Sequence, residues 1–160
     1  MVKDKSEEII AKKLGGKLTH SSGAVMDDAD IRIEGFLTEV KHRSGLGNKV
    51  VLDPKFWEKL RKQCVKHNKM PLYVYQADED IYGITYIDSF YWIENKAEQM
   101  IKPRIGKTII FRKDELNSIY SEADSIAVFE WMKIKFVIMP LNVLEEIING
   151  QRKAEEIREN

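Results

Sequence analysis

Asp30, Glu39 and Lys41 are the residues of this chain whose types and spacing suit chemistry. In Thr38-Glu39-Val40-Lys41, a strand sends Glu39 and Lys41 to one face and Val40 to the other. Residues 30–34 alternate, Gly35 offers a turn, and residues 36–41 return, so a hairpin brings Asp30 beside the end of the second strand. Two carboxylates and an ammonium group then converge. Oxygen ligands of this kind hold Mg²⁺, which keeps several waters and takes one or two carboxylates together with phosphate oxygens. Such a cation polarises a phosphoryl group and lowers the pKa of its bound water. A nearby lysine orients that water or meets charge developing on the phosphate. Taken alone, Glu-x-Lys in a strand more often reads as two charges on a solvated face, and its neighbours have to decide.

Three neighbours bear on that choice. Glu7 precedes Ile10, Ala11 and Leu14 by three, four and seven residues, which puts it on the apolar face of a first helix. An inward carboxylate needs a metal or a cation. The rival reading makes Glu7 the acid of a capping box with Asp4, and Glu8 is the fallback on that helix. Ser22, in Ser21-Ser22-Gly23-Ala24, offers a hydroxyl to phosphate or water, although Ser-Gly stretches are also ordinary turns. The third neighbour is charge: between positions 41 and 69 stand nine Lys or Arg residues against Asp53 and Glu58 only, with His42, His67 and Trp57 interspersed. Arg43, Lys49, Lys55, Lys59 and Lys62 in that stretch are the candidate contacts for a phosphate backbone, the alternative being a solvated helix face.

The elements that must position these residues follow from periodicity and breakers. Residues 4–14 read as an amphipathic helix stopped by Gly15-Gly16, and residues 17–23 as a short extended piece. Residues 24–29 form a loop holding Asp27 and Asp28, and residues 45–48 a second loop. Asp53-Pro54 opens a helix that runs to about His67. Strands are expected at 72–75, 81–87 and 108–111, with one or two more over 127–139. Asn142 is expected to cap a helix over 143–148, followed by a fraying charged tail. Residues 88–124 give no clear pattern beyond that one strand. The order implies an α/β fold built on one mixed sheet.

Composition bounds the rest. The 160 residues fit one domain, with residues 1–76 carrying the motifs and 77–160 completing the fold. Net charge is zero, so any nucleic-acid footprint has to be a local patch. Cys64 is the only cysteine, which excludes an intramolecular disulfide and a cysteine-based zinc site and points to a reducing, cytoplasmic setting. No apolar run approaches the roughly 18 residues a membrane helix needs. The histidines lack metal-ligand spacing, and Trp92 and Trp131 read as core or interface residues.

Taken in order, Glu7-x-x-Ile10-Ala11, Leu14-Gly15-Gly16, Ser22-Gly23-Ala24, Asp30-Ile31-Arg32 and Glu39-Val40-Lys41 resemble the motifs of PD-(D/E)XK nucleases, above all the archaeal-type Holliday junction resolvases and related small phage nucleases. The resemblance covers about the first half of the chain, including Phe56-Trp57-Glu58-Lys59-Leu60 and Pro71-Leu72-Tyr73-Val74. It implies a restriction-endonuclease-like central mixed sheet flanked by helices, a Mg²⁺-dependent endonuclease (Mn²⁺ substituting), and a homodimer acting on branched or junction DNA. Asp30, Glu39 and Glu7 would bind metal, Lys41 would serve the attacking water, and Ser22 would match the serine before the acidic strand. Ala29 stands where that family often has proline, and Asp27 and Asp28 are neighbouring candidates for the aspartate ligand. Two alternatives stay open: a sequence-reading or nicking restriction-like endonuclease, and a non-catalytic nucleic-acid-binding module with the same fold.

Overall fold

The computed structural model describes residues 5–19, 29–90 and 96–159. The alternation that predicts the hairpin becomes β2 (Ile31–Ile33) and β3 (Phe36–Arg43), paired antiparallel across Glu34-Gly35. Gly35 takes φ +87°, a left-handed turn position that costs glycine little. Helix α1 (Lys5–Leu14) ends where predicted, and its stop is a Schellman arrangement. Gly15 donates to the Lys12 carbonyl at 3.3 Å and Gly16 to the Ala11 carbonyl at 2.7 Å. Next, β1 (Lys17–Leu18) pairs antiparallel with β2.

The next elements are β4 (Lys49–Leu52), α2 (Pro54–His67), β5 (Met70–Ala77) and β6 (Asp80–Tyr86). Asp53 caps α2 as expected, its carboxylate accepting from the Lys55 amide at 2.9 Å. Further on lie β7 (Ala97–Met100), β8 (Arg104–Ile105), β9 (Ile109–Arg112) and α3 (Lys113–Tyr120). The chain continues as β10 (Ser125–Trp131), β11 (Ile134–Pro140) and α4 (Leu141–Glu159).

Among the described residues, one eight-stranded mixed sheet runs β1-β2-β3-β5-β6-β11-β10-β7, and a small antiparallel sheet runs β4-β9-β8. In the large sheet β3/β5 and β10/β7 are parallel, the remaining pairs antiparallel. Each face buries its own core. On one side Val40, Leu72 and Val74 meet Ile10, Ala11 and Leu14 of α1 and Leu144 and Ile147 of α4. On the other, Leu37, Tyr73 and Tyr75 meet Trp57, Leu60 and Cys64 of α2, together with α3 and the small sheet. The fold is therefore α/β, a central mixed sheet flanked by helices.

Several elements depart from expectation. Residues 113–120, within the unreadable stretch, form α3, whose helical spacing shows only through Leu116 and Ile119. Residues 49–52 form β4, too short to show alternation. Strand β6 stops at Tyr86, because residues 87–89 turn in a short 3₁₀ segment whose Ser89 hydroxyl bonds to that of Thr85, which itself donates to the Pro71 carbonyl. Helix α4 begins at Leu141 and runs through Gly150, so Asn142 lies inside the first turn rather than at the cap. Its stripe of Leu141, Leu144, Ile147 and Ile148 is buried on the sheet, and that packing outweighs the modest helix cost of one glycine. The stretch 127–139 resolves into two strands joined at Met132-Lys133, both left-handed (φ 53° and 62°) without a glycine to announce the turn.

Candidate active site

The β2–β3 register pairs Ile31 with Thr38, and one step further along it Asp30 comes opposite Glu39. Asp30 is held from two directions. Its carboxylate accepts from the Val40 amide at 2.8 Å, and its carbonyl accepts from the Thr19 amide at 3.1 Å. The Thr19 hydroxyl also donates to the Ala29 carbonyl. Alternation along β3 does the rest. Leu37 lies in the core beneath α2, so Glu39 and Lys41 project on the α2 side, while Val40 points into the core beneath α1 and α4.

Lys41 bridges the strand and the helix. Its Nζ lies 3.2 Å from Glu39 Oε1 and 3.6 Å from the centre of the Phe56 ring on α2. A cation over an aromatic face is worth roughly 0.5–2 kcal/mol, depending on how dry the site is. Both side chains are about a quarter exposed (25% for Lys41, 23% for Glu39), open enough to meet a ligand. Burial is the largest influence on both acids and raises the Asp30 and Glu39 carboxyls above their ordinary values. The Asp30 charge raises Glu39 further, while Lys41 and Lys59 pull both back down. Tyr73 stands beside Glu39 in the β3–β5 register, its phenol pushed up mainly by burial, with the Asp53 backbone pulling it partly back.

Two half-dehydrated, mutually repelling carboxylates are a donor set that a divalent cation relieves. Asp30 and Glu39 fit Mg²⁺ or Mn²⁺ in this respect, with positions left for water and phosphate oxygens. Among the described residues no three His, Cys, Asp or Glu side chains gather at one point, so Glu7 does not complete a three-acid cluster with them. Glu7 is half-buried on α1, which packs on the face of the sheet away from Glu39 and Lys41. Glu8 is exposed. Ser22, Asp27 and Asp28 lie outside the described residues.

The expected basic contacts Arg43, Lys49, Lys55, Lys59 and Lys62 are all exposed. Lys55, Lys59 and Lys62 share the outer face of α2 and line an open groove with Pro54 and Glu58. Lys59 and Lys62 also border the next groove along, with Lys66 and His67. Lys49 belongs elsewhere, on the small sheet. Trp57, counted with the basic stretch in the sequence, is fully buried, edge-on to Tyr86 and Phe136. Periodicity explains this: Trp57, Leu60 and Cys64 form the inward stripe of α2. Sequence reasoning missed Phe56 as the seat of Lys41 and Lys59 as a charge acting on both carboxylates. Their spacing of three residues puts them one turn apart on α2, but nothing in the sequence ties that side of the helix to β3.

No family model matches the sequence, and no curated protein matches it. Among solved structures the chain is similar to Hjc, a Holliday junction resolvase from the archaeal hyperthermophile Archaeoglobus fulgidus, with a TM-score of 0.46 and 13% identity over 69% of this chain and 87% of that one.

Proposed function

We propose that this chain is a divalent-metal-dependent DNA endonuclease that prefers branched DNA. The observation that carries the reading is the convergence of Asp30, Glu39 and Lys41 at the end of the β2–β3 hairpin, beside the basic outer face of α2. Asp30 and Glu39 would hold Mg²⁺ or Mn²⁺, which when bound supplies a polarised phosphoryl group and a more acidic water. Lys41, steadied by Glu39 and Phe56, orients the attacking water or meets charge on the phosphate. Lys55, Lys59 and Lys62 grip the phosphate backbone along α2. The preference for junctions, and the homodimer that paired cuts require, rest on the order of motifs in the first half of the sequence.

The test is cleavage of a labelled four-way junction beside matching linear duplex and single strand, each in Mg²⁺, Mn²⁺ or EDTA. Paired, metal-dependent cuts confined to the junction are expected. Metal-dependent cutting of linear DNA at one site would replace junction preference with sequence reading. Tight binding with no cutting in either metal would make the chain a binding module.

A further inference from the structure

The small sheet builds a second, separate feature. In β4 and β9, Val50, Leu52, Ile109 and Phe111 point into the core, so Lys49, Ile110 and Arg112 face outward. The register sets Lys49 opposite Arg112 and Arg104 opposite Ile110, which brings cations from three strands onto one surface. Together with Lys102 from the segment before β8, they line a cavity of about 260 Å³. Its apolar lining is Pro103, Ile110 and the buried Ile101 and Phe111. Glu115 is the one acid in its wall among the described residues. Arg112 already pairs with Asp114 at 2.8 Å, but among the described residues Lys49, Lys102 and Arg104 enter no ion pair.

Three cations that enter no ion pair among the described residues, beside an apolar lining, suit an anion that carries an apolar ring. Guanidinium groups bind phosphate through paired donors and stack on rings. The volume lies just under the roughly 300 Å³ at which small-ligand pockets begin, which limits the site to a ligand no larger than a single nucleotide unit. The geometry points to a nucleotide-binding site on the small sheet, distinct from the carboxylate centre and needing no metal.

The source of that nucleotide, free or within a single strand, is separated by measuring both in EDTA. Calorimetry with dTMP and with inorganic phosphate, and anisotropy with a labelled oligo(dT), are run on the full chain, on Lys102→Glu/Arg104→Glu and on Lys55→Glu/Lys62→Glu. All four side chains are exposed, so the variants should fold, as circular dichroism will verify. The cavity variant is expected to lose at least tenfold in affinity for oligo(dT), whereas the α2 variant keeps whatever dTMP affinity the wild type has. If dTMP also binds, and more tightly than phosphate, a free nucleotide suffices; if only oligo(dT) binds, the site takes a nucleotide held in a strand. Equal oligo(dT) affinity in wild type and cavity variant would overturn the proposal, as would phosphate binding as tight as dTMP. No cleavage enters these readouts, so the endonuclease reading can fail while this site stands, and the reverse.

Discussion

Asp30 and Glu39 face each other in a partly dehydrated setting, and both protonate more readily in the fold than in the unfolded chain. The folded state therefore binds more protons, and stability declines as pH rises from the ordinary carboxylate range through the raised values. Asp30→Asn keeps an acceptor for the Val40 amide and removes one of the two repelling charges. In EDTA near neutral pH it should melt a few degrees above wild type, where about 1 kcal/mol corresponds to roughly 2–4 °C. That gap should close below about pH 4, where both carboxyls carry protons. Mg²⁺ should raise the melting temperature of wild type and leave that of the variant unchanged. In cleavage assays, Asp30→Asn and Glu39→Ala should each lose roughly 10²-fold or more, since even groups supporting a metal ligand cost 10–100-fold, with DNA affinity largely kept. Normal cutting by either variant would remove these residues from the site. The Asp30/Glu39/Lys41 arrangement was legible in the sequence because alternation and one glycine determine a hairpin's faces. Phe56 under Lys41 was not legible, because the meeting of a helix residue with a strand residue depends on how α2 lies across the sheet.

The elements most exposed to single substitutions are those that pin the hairpin. A Cβ at Gly16 would sit 2.8 Å from side-chain atoms of Ile31 and Ile33 and 2.9 Å from the Arg32 carbonyl oxygen. Gly16→Ala should therefore force α1 and β2 apart, at a cost of about 1–3 kcal/mol in denaturant unfolding. Because β2 leads directly from Asp30, cleavage should fall by more than the unfolded fraction accounts for. Gly83→Ala brings a Cβ within 2.6 Å of Leu144 in the α4 core, on the face of the sheet opposite Glu39 and Lys41, and should lower stability with cleavage per folded molecule unchanged. The start of α2 and the end of α1 were readable because caps are local chemistry, Asp53-Pro54 at one and Gly15-Gly16 at the other. Strand β7 and helix α3 were not. Strand β7 is four residues long, three of them exposed, and its place in the sheet comes from parallel pairing with β10, about 28 residues further on.

Across the whole molecule, zero net charge conceals an uneven surface. Lys55, Lys59 and Lys62 stand on the outer side of α2 against Glu58, which is occupied by Arg61. Duplex affinity should fall steeply with salt, log K against log salt having a slope of about −0.9 per phosphate neutralised. Lys55→Glu/Lys62→Glu should flatten that slope by roughly 2 and weaken all sequences alike, as filter binding across a salt series will show. An unchanged slope would move the DNA off α2. The strand order carries a consequence for assembly. Among the described residues the large sheet ends in β1, two residues long, and β7, four residues long. Strands that short present few free backbone groups, one of the ways sheets avoid adding a strand from another chain. If the proposed pairing of two copies occurs, these two edges offer little backbone to join them, and helix or loop side chains become the first places to test by substitution.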